Sequence, residues 1–173
     1  MRTLYSRRNA LITQRSITIK DEHGQIAYLI TGDRGKQQDV LTVFSIHGEI
    51  LAQIKQKNFG IFPRFDLYQG NQHVGSLRRY YGIGREILFV KGLNWLILGN
   101  IFTFNYKIYH AKTCLMTISE VKLTKGKYLE FWFKEINDEP IGLCLAAILD
   151  YWAQKNIKQK QKKLSGQHLS AWS

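Results

Sequence analysis

Cysteine, proline and long apolar runs are all scarce in this chain, and each scarcity removes a class of protein. Two cysteines, Cys114 and Cys144, in 173 residues cannot build a disulfide framework. Each stands among apolar neighbours, where a reduced thiol behaves as a small hydrophobe. Two prolines and 14 glycines leave no room for a long linker, so one domain over residues 1–155 is expected, followed by a tail at 156–173. Positive charge opens the chain, in Met1-Arg2-Thr3-Leu4-Tyr5-Ser6-Arg7-Arg8, but no apolar stretch follows it as in a secretory leader. A cytoplasmic location is the expectation.

Catalytic signatures are missing as well. Gly82-Ile83-Gly84 runs into Arg85-Glu86-Ile87, without the third glycine or the Lys-Ser/Thr pair of a phosphate loop. No Gly-x-Ser-x-Gly elbow occurs. His23, His47, His73 and His110 fall at or beside turns, without the spacing of metal ligands. The expectation is a non-enzyme with no catalytic residue, metal site or cofactor. Asp150, the lone acid in an apolar segment, is expected in a capped or ion-paired position at the barrel mouth rather than as a catalytic acid, because a buried carboxylate needs a partner.

What the chain does have is hydrophobicity in period two. Ile17–Lys20, a turn at Asp21-Glu22-His23-Gly24, then Ile26–Ile30 make one unit. The unit returns around His47-Gly48, around Gly70-Asn71 and around His110-Ala111, a pattern of hairpins joined by tight turns. The first three copies recur about every 24 residues, which indicates an internal repeat. Residues 82–104 read as a longer insert with two strand-like runs, and Leu129–Lys134 as a further strand. Ten to twelve strands are predicted in all.

The pattern then changes to helix. Asp138 suits an N-cap and Pro140 the first turn. From Ile141 to Ala153 almost every residue is apolar, so the helix, about 139–154, must be buried on every side or span a membrane. Thirteen residues rise about 20 Å, and a bilayer core needs about 20 apolar residues. Burial is therefore predicted, with the hairpins closed into a barrel around the helix.

Three features together, the Asp/His-x-Gly turn repeats, the restart at Pro63-Arg64-Phe65-Asp66-Leu67 and the segment Ala146-Ala147-Ile148-Leu149-Asp150, carry a resemblance. Over roughly residues 10–155 the chain resembles the LURP-one-related proteins, in particular their bacterial YxjI-like branch, within the tubby C-terminal-like superfamily. The resemblance implies a mainly β fold, a closed antiparallel barrel of about twelve strands enclosing a hydrophobic C-terminal helix. It also implies no characteristic enzymatic activity. The superfamily includes phosphoinositide-binding tubby proteins and phospholipid scramblases, a link to lipid at the level of the fold alone.

Charge supplies the functional expectation. The chain carries 25 Lys and Arg against 13 Asp and Glu, a net +12. Lys155 at the end of the domain and Lys158, Lys160, Lys162 and Lys163 in the tail crowd into nine residues, and the tail is expected to be disordered. Without them the body is still basic by +7. Such a balance serves solubility, and it also attracts polyanions. Lys55, Lys57, Arg64, Arg78, Arg79, Arg85 and Lys91, with Tyr80 and Tyr81, are the candidate strip for anionic lipid headgroups at the inner face of the membrane. A nucleic-acid- or protein-binding role is the alternative, although no helix-turn-helix, RNA-recognition or zinc-finger signature is present.

Overall fold

The computed structural model of the protein describes residues 1–8, 16–34, 39–57, 64–81, 86–100 and 102–153. Twelve strands follow one another: β1 (Arg2–Arg7), β2 (Ser16–Asp21), β3 (Ile26–Arg34), β4 (Asp39–Ser45), β5 (Ile50–Gln56), β6 (Phe65–Gln69), β7 (Gln72–Tyr81), β8 (Glu86–Lys91), β9 (Trp95–Asn100), β10 (Asn105–His110), β11 (Thr113–Leu123) and β12 (Gly126–Phe133). Each pairs antiparallel with its sequence neighbours, and β1 pairs with both β2 and β12, so the sheet closes into a barrel. Closure leaves no strand edge unpaired. A 3-10 turn (Ile136–Asp138) then leads into helix α1, described over 139–153.

The repeat predicted from the sequence has a geometric counterpart. Asp21 Oδ1 accepts the backbone N–H groups of His23 and Gln25, both at 2.9 Å. Ser45 Oγ accepts those of His47 and Glu49, both at 3.2 Å. These side chains stand in for backbone acceptors and set the turn. The chain reverses at Gly24 (φ 77°), Gly48 (φ 85°) and Gly70 (φ 54°), a left-handed conformation that glycine adopts without steric cost. Ala111 occupies the same place at φ 51° in the β10–β11 hairpin. All four hairpins shift register just before the turn. The presumed insert is itself another hairpin, β8–β9, turning at Gly92 and Asn94, so the repeat runs on without interruption.

Alternation decides what faces inward. Ile17 and Ile19, Leu41 and Val43, Phe65 and Leu67, and Phe131 and Phe133 are buried pairs two residues apart. The barrel interior is filled by α1. Every residue from 139 to 153 is buried except the partly exposed Tyr151. Gly142 lets the helix lie against β12 and β11: a Cβ there would stand 2.5 Å from the Phe133 ring and 2.8 Å from Met116 Sδ. At the other end Trp152 meets the Phe65 ring edge-on at 5.4 Å. No described helix is long and apolar enough to cross a membrane.

Two charge pairs fix the helix along the barrel axis. The inward face of β1 reads Arg2, Leu4, Ser6, and Arg8 follows in the same phase. Arg2 Nη1 donates to Glu139 Oε2 at 3.3 Å, and Tyr28 Oη donates to the same oxygen at 2.6 Å. Arg8 reaches Asp150 at 3.7 Å and pairs with Glu120, which Lys127 also approaches at 2.9 Å. Six residues of strand span about 20 Å and eleven of helix about 16 Å, so both arginines can reach their acids at once. The ion pair expected for Asp150 is present.

Candidate anion-binding surface

Four consecutive strands, β5 to β8, carry the cations singled out in the sequence. Their register aligns Lys55 with Asp66, Asp66 with Ser76, and Ser76 with Lys91. Because Ile54, Leu67, Leu77 and Val90 point inward, this rung lies on the outer wall. Lys57 joins from just beyond β5, where its N–H donates to the Arg64 carbonyl at 2.9 Å. Lys57, Arg64, Arg78 and Lys91 are exposed, and Lys55 is half-buried.

Asp66 is the hub of the rung. Its carboxylate accepts from Ser76 Oγ at 2.7 Å and from Arg64 Nε at 3.0 Å, with His73 Nε2 at 3.7 Å. Burial opposes its charge, but the Ser76 and Arg64 hydrogen bonds and the positive charge of Arg64 outweigh it. The carboxyl is held below its ordinary value. Although Ser, His and Asp meet here, the serine hydroxyl is bonded to the acid and not to the imidazole. A carboxylate held ionised is a poor base, so this contact does not activate a nucleophile. The cations also differ in what they do locally. Arg64 offsets Asp66, and Lys55 Nζ lies 4.7 Å from the centre of the Tyr68 ring. Arg78 and Lys91 project from the wall with no carboxylate in ion-pair range among the described residues.

Arg79 departs from the strip expected of it. Leu77 is buried, so Arg79, two residues on, also turns inward, and its guanidinium lies 5.3 Å from the Trp152 ring centre. Counting in twos from Leu77 would have separated it from Arg78. It belongs instead to the charged end of the barrel, with Arg8, Glu120 and Asp150. Arg8 there lies 4.7 Å from the Phe104 ring centre. Burial pushes the Tyr106 phenol up, against the lowering effect of Arg79 and Arg8. Arg85, Pro63, the Gly82-Ile83-Gly84 run and the lysines from Lys155 onward lie outside the described residues, as does the side chain of Tyr81.

Among the described residues, a cavity of about 10 Å³ lies between α1 and the β1–β3 and β12 wall, lined by Ser6, Ala146, Ala147 and Asp150 among others. That is the space of about one water molecule. Cys144 is wholly buried in the helix, and burial raises its thiol pKa far above the usual range. No group of three or more His, Cys, Asp or Glu that could hold a metal occurs among the described residues.

Known proteins share this architecture. Residues 2–139 match a family described as LURP-one-related. The match stops where α1 begins, so the strands carry it, and not the Ala146–Asp150 segment on which the sequence resemblance leaned. The chain is 23% identical over 132 residues to the uncharacterized protein YxjI of Bacillus subtilis (strain 168), covering 76% of this chain and 82% of the relative. A crystal structure of an Arabidopsis thaliana protein superposes with a TM-score of 0.59 at 13% identity, covering 86% of this chain and 89% of the other. At that identity the likeness is one of fold.

Proposed function

The chain belongs to the LURP-one-related family, a membership that accounts for the barrel and leaves the activity to the surface, and we propose that it is a non-catalytic binding module for anionic phospholipid. It attaches peripherally, through the outward cations of β5 to β8. The observation that carries this reading is their placement. Lys55, Lys57, Arg64, Arg78 and Lys91 come from separate parts of the sequence onto neighbouring strands of one wall. The net charge of +12 strengthens the attraction, and a polybasic segment from Lys155 adds to it at about 1 kcal/mol per cation close to an anionic leaflet.

Flotation with vesicles tests the reading. The chain is expected to float with phosphatidylglycerol-containing vesicles, less so as salt rises, and not with pure phosphatidylcholine. The triple variant Lys57→Glu, Arg78→Glu, Lys91→Glu should bind at least tenfold more weakly. Equal absence of binding to anionic and neutral vesicles at low salt would end the proposal.

A further inference from the structure

Beside the cationic wall lies an apolar one. Tyr80 on β7 pairs with Ile87 on β8, Ile87 with Leu98 on β9, and Leu98 with Lys107 on β10. The first three are exposed by 51%, 38% and 39%, so the row is an apolar stripe on the outside of the barrel. It spans two strand spacings, about 10 Å, and a third reaches Lys107. Phe102 lies in the β9–β10 connection at the end of the barrel to which Tyr80 and Leu98 lead, and it is 76% exposed. Asn100 Oδ1 accepts the Phe102 N–H at 2.8 Å, which fixes the backbone presenting that ring.

We infer that this stripe, with Phe102 at its end, is the face that enters the acyl boundary of an anionic phospholipid bilayer. The inference rests on the proposed lipid binding and adds the orientation of the bound barrel. Charge selects the partner. Arg78 precedes Tyr80 by two residues on the same face, and Lys107 ends the row on the other side, so cations flank the apolar stripe. Of the other exposed aliphatics, Ile26, Ile46 and Ile50 lie at hairpin turns close to exposed Glu22 and Glu49, Ile136 follows Glu135, and Leu123, although among lysines, faces Gly126, so none of them extends across strands as a stripe. Shape selects it too. The barrel is closed, so no strand edge accepts an added peptide strand, and a convex wall offers no groove for a peptide helix. A flat, deformable surface with negative headgroups over an apolar layer matches a convex apolar stripe between cations.

The test separates this inference from the reading beneath it. In a Cys114→Ser background, Leu98→Cys or Thr18→Cys, the latter on the exposed face of β2, carries a polarity-sensitive NBD probe. Flotation is measured on the same samples with phosphatidylglycerol-containing vesicles. The expected result is a blue shift with a rise in emission at position 98 and none at position 18. Leu98→Glu should bind at least tenfold more weakly with an unchanged melting temperature. Flotation without a shift at 98, together with undiminished binding of Leu98→Glu, overturns the orientation and leaves the lipid reading standing. Failure to float at all overturns both. A shift at 98 that comes from concentrating the protein without vesicles assigns the stripe to a second copy of the chain and also overturns the inference.

Discussion

The two ends of the buried helix are held by the same kind of contact built in different ways. At the entry end Glu139 is wholly buried and accepts from Tyr28 and from Arg2, whose side chain keeps 35% of its exposure. The acid also sits in the first turn of α1, where the helix dipole favours negative charge. At the far end Asp150 shares Arg8 with Glu120, and Glu120 in turn has Lys127. One end is an acid with dedicated donors, the other a network with redundancy. Loss of a partner should therefore be felt more at the entry than at the far end.

Glu139→Ala is expected to have the largest effect. It strands the Tyr28 hydroxyl and the Arg2 guanidinium, and should cost about 3 kcal/mol, the low end for a broken buried pair because Arg2 reaches solvent. Urea denaturation measures it. Asp150→Ala should cost less, about 2 kcal/mol, because Arg8 retains Glu120. A cost at least equal to that of Glu139→Ala would reverse the comparison. Double-mutant cycles on Arg2–Glu139 and Arg8–Asp150 would then show which pair is coupled more strongly.

Tyr28→Phe sharpens the contrast through pH. It should cost about 1.5 kcal/mol at neutral pH. Burial, and then the Glu139 carboxylate, raise the Tyr28 pKa above its ordinary value near 10. The neutral phenol is thus favoured by folding. Its contribution is complete below pH 10 and is lost as pH climbs from there toward the folded value. The gap between parent and Tyr28→Phe should accordingly close in alkaline denaturation series, and a constant gap from pH 8 to 11 would contradict the assignment. Gly142→Ala comes last, at about 1 kcal/mol destabilising by chemical denaturation. The added methyl meets Phe133 and Met116, and the better helix propensity of alanine offsets part of the clash.

How far the sequence disclosed this molecule depended on whether a residue's partner was near or far along the chain. The hairpins were legible because each turn is local, with Asp21 or Ser45 organising its own loop. The helix was legible because a run of thirteen residues broken by a single acid, Asp150, admits few solutions. Strand β1 was not. Its inward face holds Arg2, Ser6 and, in phase, Arg8 around the single apolar Leu4, and Arg2 answers an acid 137 residues away. No local pattern reveals that. The β8–β9 hairpin hid for a milder reason, since its turn at Gly92-Leu93-Asn94 lacks the histidine of the other copies. On the surface, residue type identified the cations and alternation from Leu77 sets Arg79 apart from Arg78, but only register aligned Tyr80, Ile87 and Leu98.

The seam between β1 and β12 also bears on the order of assembly. Arg2 there lies opposite Phe133, 131 residues apart, and α1 follows only after that strand has ended. A wall already zipped shut would offer a fifteen-residue rod no side entrance. The last joint must therefore form around the rod, and a ring sealed by such distant partners is expected to mature slowly, after most of the polypeptide has been made.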